Sequence, residues 1–357
     1  MTAPAFRAFA SPRVYIQGPG VLDQLAGLVS RLGRAPVAIV DANALKGLQG
    51  ALQASLGPAS PVLSFQGFVT GEAIAALAAR AGAADVVVAA GGGRAIDAGK
   101  GVAIALKAAL IVVPTIASSD AATSHAAVVH DAQDDFVEVR ALPWNPDAVL
   151  VDTAVIAEAP ARFLRWGIGD ALSKVFEAGA CQAAGGRNSH GGAAPIAALA
   201  LAQACYDVLR RDAVPALAAA ERHVLTPELE NIVEAALLLS GLGFESGGLS
   251  IAHTVALALA AAPSTRDAAH GEQVGYGLLV QLALDPAGGG PLRDIWTFLG
   301  EVGLPRRLAA LTAAGANGPD IAELSAHAAR GLWAHNYPAP LTPADFQAAI
   351  ETVERLR

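Results

Sequence analysis

Three segments in the first half of the chain, and a few isolated side chains in the second, have residue types that could do chemistry. In Asp85-Val-Val-Val-Ala-Ala-Gly-Gly-Gly93-Arg-Ala-Ile-Asp97, a β-branched run leads into glycines and then into a helical pattern. Glycine lets a backbone approach a pyrophosphate, and the unpaired N–H groups of a helix start point at the anion. The triplet serves equally as a plain tight turn, and its spacing is not GxGxxG. Asp41 ends Val37-Ala-Ile-Val-Asp41. At a strand tip its carboxylate can accept from both ribose hydroxyls and repel a 2′-phosphate, which favours NAD over NADP. The plainer role is an ordinary helix N-cap. Val113-Pro-Thr115-Ile-Ala-Ser118-Ser119-Asp120-Ala-Ala-Thr123-Ser124 is dense in hydroxyls that can bond phosphate oxygens, with Asp120 available to a substrate hydroxyl. A solvated loop with local Ser/Thr turns is its alternative.

In the second half, Gly167-Ile-Gly169-Asp170-Ala-Leu172 reads as a helix start carrying Asp170 ahead of an apolar stripe. His253 falls on the apolar face of a helix with Leu249 and Leu257, and His270 opens Ala269-His270-Gly271-Glu272. One carboxylate and two imidazoles suit Zn²⁺ or Fe²⁺ with a position left open. Spacing alone does not bring them together, and a histidine taken singly is more often a satisfied core residue than a ligand. Glu272 reads either as a partner of that site or as a helix-start carboxylate.

The elements that must position these groups divide the chain near residue 155. Strand patterns fall at Arg13–Gln17, Val37–Asp41, Val62–Phe65, Val86–Ala90 and Leu110–Pro114, with helical patterns such as Leu22–Leu32 and Gly71–Ala81 between them. This alternation predicts a parallel, Rossmann-like sheet covered on both faces, with ligands beyond the carboxyl ends of its strands. Ala126–His130 and Val137–Arg140 flank Asp131–Asp135 as a hairpin, and Ala148–Asp152 is a last strand. From Ala157 onward helical periodicity dominates, broken at Ala184–Gly192, Pro263–Asp267, Asp285–Gly290 and Gly315–Pro319. The expectation is an α/β domain over residues 1–155 and an all-α domain over 156–357, with a cleft between such halves the usual place for a ligand.

With 357 residues, 54% of them hydrophobic and 16% charged, the chain can fill two cores. A net charge of −8 and only four lysines (Lys46, Lys100, Lys107, Lys174) leave no basic stripe for nucleic acid or anionic lipid. No apolar run reaches the ~18–20 residues of a membrane span, and the N-terminus is a poor signal peptide. Cys181 and Cys205 read as buried small hydrophobes in a reducing compartment, so the expected location is cytoplasmic.

In this order, the segments VPTIASSDAATS, NPDAVLVDT, APARFLRWGIGDAL, GFESGGLSIAH and HGEQVGYG resemble the glycerol dehydrogenase family of the iron-containing alcohol dehydrogenase superfamily. The likeness runs from about Val14 to beyond Gln281, with an echo in His335-Asn-Tyr-Pro and Leu341-Thr-Pro-Ala. It implies a dehydroquinate synthase-like architecture, NAD and Zn²⁺ (or Fe²⁺) as cofactors, a small polyol substrate and a homo-oligomer. The implied metal ligands are Asp170, His253 and His270, with His253 and Asp120 serving the reaction. The implied nucleotide contacts are Asp41, Gly92, Gly93, Arg94, Asp97, Thr115, Ser118, Ser124, Ala126 and His130. The chain departs from the family pattern at Ala256 and Leu257, where a histidine and an asparagine are usual, and at Arg94, His125 and His130. Ala256 makes the wall beside His253 more apolar, which keeps a 2-oxo-acid reductase as the alternative. A 3-dehydroquinate synthase-like lyase needs a cationic pocket that so few lysines do not suggest. A scaffold protein without catalysis would not need all three ligands.

Overall fold

A computed structural model describes residues 6–285 and 289–357. The expected break at Asp285–Gly290 therefore falls largely outside the described residues. The chain packs as two compact units: residues 11–160 with 219–238, and the segment up to residue 10 with 161–218 and 239–357.

The first unit is built on six parallel strands in the order β1-β8-β5-β4-β2-β3. These are β1 (Tyr15–Gly18), β2 (Pro36–Asp41), β3 (Val62–Phe65), β4 (Val86–Gly91), β5 (Ala109–Pro114) and β8 (Ala148–Asp152). All six are legible as strands, and the four central ones, buried on both faces, read as nearly unbroken Val/Ile/Ala runs. Between them lie α1 (Leu25–Leu32), α2 (Ala42–Leu56), α3 (Gly71–Ala81) and α4 (Gly93–Leu106). The expected helix Leu22–Leu32 is shorter, since Val21–Gln24 forms a 3₁₀ turn. From β2 the chain goes to β3 on one side and returns to β4 on the other, so the order reverses at the carboxyl ends of β2 and β4. Such a switch point leaves a crevice for a ligand. Strands β6 (Ala126–His130) and β7 (Phe136–Ala141) form the expected antiparallel hairpin. Its tip is closed by Asp131 Oδ1, which accepts from Gln133 N and Asp135 N.

A simple division at residue 155 does not describe the packing. Helix α5 (Thr153–Ala157) and α9 (Pro227–Glu234) belong with the sheet. Glu230 on α9 accepts from Gln17 Nε2 and, at 2.6 Å, from Thr153 Oγ1. Conversely, Phe6 and Ala8 pair with Ala193 in the helical unit.

That unit contains α6 (Ala161–Leu172), α7 (Lys174–Ala183), most of α8 (Ile196–Ala220), α10 (Ser240–Gly247), α11 (Ile251–Ala261), α12 (His270–Ala283), α13 (Gly289–Glu301), α14 (Leu308–Leu311), α15 (Ile321–Ala329) and α16 (Pro343–Arg355). None of its described residues forms a strand of the sheets, as the periodicity predicts. Two close approaches decide its geometry. A Cβ on Gly169 of α6 would run into the Gly271 carbonyl of α12, and one on Gly271 into the Trp166 carbonyl of α6. A Cβ on Gly277 would likewise strike the Ala252 carbonyl of α11. Helix α12 therefore lies backbone to backbone against both α6 and α11. No helix is long and apolar enough by itself to cross a membrane among the described residues.

Gly271→Ala places a methyl group against a backbone carbonyl that cannot swing away. We expect it to cost about 3 kcal/mol, the upper end for overpacking, measured by urea unfolding; an unchanged midpoint would refute the close crossing.

Candidate active site

Asp170 does not open a helix, as its sequence context suggests. It lies in the last turn of α6, whose periodicity begins immediately after Pro160. A carboxylate there opposes the helix dipole, and Asp170 is also buried (1% exposed). It needs positive charge nearby, and the helical unit supplies it.

The donor atoms of Asp170, His253 and His270 all lie within 4.8 Å of one another. His253 Nε2 is 3.3 Å, and His270 Nε2 3.9 Å, from Asp170 Oδ1. The imidazole centroids are 5.4 Å apart with ring planes at 61°. The α6–α12 and α11–α12 crossings bring the three together. His270 begins α12 beside Gly271, and His253 adjoins Ala252 on α11.

Two further side chains complete the cluster, and the sequence reading missed both. Glu177 is fully buried on α7. Its Oε1 accepts from Ser250 N and His253 N at the start of α11, at 2.9 and 3.0 Å. Its Oε2 lies 2.6 Å from His253 Nδ1 and accepts from Ser173 Oγ. One carboxylate thus satisfies a helix N-terminus and turns the His253 ring so that Nε2 faces Asp170. Lys174 Nζ donates to Asp170 Oδ1 at 2.5 Å and lies 3.2 Å from His253 Nε2. The available signal was spacing: Asp170, Lys174 and Glu177 stand at i, i+4 and i+7 in an apolar stretch, which puts three charges on one buried face. Glu272 is not part of this group. Its Oε2 accepts from Ala269 N, the helix-start role.

The electrostatics follow from this crowding. Burial favours a neutral Asp170, but Lys174 and the two imidazoles outweigh it and hold the carboxyl well below the usual range. Burial also opposes the charge on Glu177, yet His253 keeps its pKa low. For His253, burial opposes protonation, and the Glu177 carboxylate prevails and raises the ring. His270 has 49% of its side chain open to solvent. The protein around the rest, with the charges of His253 and Lys174, lowers it to about 4. It therefore offers a neutral nitrogen at neutral pH. Oxygen and nitrogen donors at this spacing, with one ring held by a carboxylate, fit a divalent ion such as Zn²⁺ or Fe²⁺.

In the α/β unit, Asp41 and the glycine turn meet at the switch point. A Cβ on Gly91 would lie 2.6 Å from Asp41 Cβ, and one on Gly92 would lie 2.7 Å from Ile116 Cδ1. The turn is bare backbone leading into the first residue of α4, Gly93, which is the surface a pyrophosphate needs. Asp41 Oδ1 caps α2 by accepting from Asn43 N, so its plainer role is present. Arg94 bonds Asp134 at 2.6 Å and covers the Phe68 ring. Thr115 N bonds the Gly91 carbonyl. Ser118 is half-buried and Asp120 buried on the loop that follows.

That loop is not a loose solvated one. Lys100, with no exposed surface, donates to the Ala121 and Ala126 carbonyls, to Ser124 Oγ and to Asp97 Oδ1. Asp97 also accepts from Val128 N; burial raises its pKa in spite of Lys100. Thr123 Oγ1 reaches the Leu237 carbonyl, and Asn145 holds the Thr123 carbonyl. Asp97, Ser124 and Ala126 thus have internal partners that anchor the loop and β6. His130 N bonds the Val69 carbonyl, while its buried Nδ1 has no partner among the described residues.

The chain as a whole is similar to known proteins. Residues 12–153 match the family model for iron-containing alcohol dehydrogenase. The glycerol dehydrogenase of Thermotoga maritima is 38% identical over 348 residues, 96% of each chain. The glycolaldehyde reductase of Halobacterium salinarum is 36% identical, over 98% of this chain and 97% of its own. The crystal structure of a probable glycerol dehydrogenase from Sinorhizobium meliloti superposes with a TM-score of 0.90 at 36% identity, covering 98% of both chains. The chain belongs to the iron-containing alcohol dehydrogenase family. Its full-length relatives include glycerol dehydrogenases and a glycolaldehyde reductase, and the chain is an NAD-linked alcohol dehydrogenase of that family.

Lys100→Met strips the charge from the Asp97 anchor and loosens the loop that carries Asp120. Loss of one partner of a buried pair should cost ~3–5 kcal/mol, read by urea unfolding. A loss below 1 kcal/mol would show that the anchor does not hold the loop.

Proposed function

We propose that this enzyme oxidises a small vicinal diol, glycerol or a close analogue, to the hydroxyketone with hydride transfer to NAD. One observation carries the assignment: the donor atoms of Asp170, His253 and His270 lie within 4.8 Å of one another although the residues are far apart in the chain. We assign these three as the metal ligands. Asp41, Gly92, Gly93, Arg94, Thr115, Ser118 and His130 are assigned to the nucleotide, with Asp97, Ser124 and Ala126 reaching it through the loop they anchor. The bare glycine turn at the sheet's switch point and the orphaned His130 Nδ1 support that assignment.

A secondary alcohol must lose its O–H proton before or while its C–H hydride leaves. A divalent ion can lower the pKa of bound water from 15.7 to about 7, and an alcohol responds likewise. The residues' own contributions are distinct. Asp170 supplies the fixed negative charge for the ion. Glu177 holds His253 with Nε2 presented, and His270 offers a neutral nitrogen at the exposed edge of the cluster. NAD, when bound, would take the hydride, and the hydroxyl proton would go to solvent. We assign Asp120 to a neighbouring substrate hydroxyl, which accounts for a preference for diols. A cytoplasmic location is supported by the two buried cysteine thiols, which form no disulfide with each other, and a homo-oligomer is the assembly we expect.

NAD reduction across polyols and hydroxy acids, with chelator and then added Zn²⁺, tests the assignment. Turnover of diols that chelator stops and zinc restores is the expected result. Activity confined to hydroxy acids would move the enzyme to the 2-oxo-acid reductase class. His253→Ala should abolish turnover while NAD still binds, seen by fluorescence titration; normal turnover would end the ligand assignment. Glu177→Gln, which leaves His253 in place but weakens its hold, should lower zinc affinity about 10–100-fold, measured by chelator competition. Unaltered affinity would mean that Glu177 serves only the helix start.

A further inference from the structure

Two of the chain's four lysines, Lys100 and Lys174, are fully buried. Lys100 is explained by the loop it anchors. Lys174 is not explained by the proposed reaction. Its ammonium is bonded to Asp170 Oδ1 at 2.5 Å and sits 3.2 Å from His253 Nε2. Asp170 and His253 are two of the three ligands assigned above. A cation that belongs to the chain thus stands on the donors a divalent ion would use.

We propose that Lys174 is a built-in competitor for the divalent ion. It neutralises Asp170 when no ion is bound, and it must leave that carboxylate when one binds. The inference rests on the metal assignment and adds to it a statement about strength and exchange.

Asp170 carries a buried negative charge at the unfavourable end of α6. Without compensation such a charge is strongly destabilising. Lys174 compensates it from the next turn, so the ion-free protein keeps its fold. The same ammonium cannot remain on Oδ1 while a divalent ion bonds that oxygen, because two positive charges would then lie within a few ångströms in a poorly solvated site. Alternative positions are at hand. The Glu177 carboxylate feels the Lys174 charge, and the Phe244 ring lies 5.5 Å from Nζ. Moving there gives up the shorter bond to Asp170, so the ion is held more weakly than the same three ligands would hold it alone. Weak binding with ready exchange is the consequence.

Zinc affinity of the full-length, chelator-stripped protein tests this, by competition with a chromophoric chelator. Lys174→Met should bind zinc at least tenfold more tightly than the wild type. Its ion-free form should melt lower, and zinc should raise its Tm by more than it raises that of the wild type. A lysine that merely packs would lower both melting points together and leave zinc affinity unchanged. Equal or weaker zinc binding by a folded variant overturns the proposal. Lys174→Gln, which keeps a polar head without the charge, gives the same test if the methionine variant does not fold. A crystal structure of the zinc-loaded wild type supplies an independent reading: Nζ away from Asp170 supports competition, and Nζ still bonded to it overturns it. If the wild type binds no zinc at all, the metal assignment falls and the inference with it. Equal zinc binding by both proteins removes the inference alone.

Discussion

A buried carboxylate at the wrong end of a helix is the constraint on which the Asp170–His253–His270 cluster depends. Asp170 stands in the last turn of α6, the end where the helix dipole is negative, and almost no solvent reaches it. The side chains around it can be understood as answers to that one problem. Lys174 bonds it directly, His253 and His270 turn their Nε2 atoms toward it, and Glu177 balances the charge on His253 from the far side. A group of charges this dense is stable only if each has a partner.

The charges meet because glycines let backbones meet. Three helices cannot approach at Gly169, Gly271 and Gly277 if any of those positions carries a Cβ. Two of the three glycines adjoin a member of the cluster, Asp170 and His270. The packing that fills the unit is therefore the packing that builds the site. Positions chosen for closeness leave little freedom for substitution.

The α/β unit repeats the logic with a different purpose. Lys100 beneath the hydroxyl loop holds two carbonyls, a serine and a buried aspartate at once. A loop that reads as polar and solvated is thereby stiffened from below. Ser124, whose hydroxyl bonds Lys100, contributes to the position of its neighbours. The turn at Gly91–Gly92 beside Asp41 has to be glycine because a methyl group would collide there with Asp41, Ala95 or Ile116.

The sequence by itself determined the strands, nearly to the residue, because buried parallel strands are written as unbroken runs of Val, Ile and Ala bounded by glycine and aspartate. It determined the family as well, through an ordered set of short segments, and it named the three candidate ligands. Only the tertiary structure decided that Asp170 ends a helix, that residues 219–238 pack with the sheet, and that Lys174 and Glu177 bond Asp170 and His253. The reason is the range of the forces concerned. Periodicity records which face of an element is buried, a local property repeated every few residues. Whether a buried charge has a partner depends on a helix that arrives from seventy or more positions away, as α11 does over Glu177, and no local pattern carries that information.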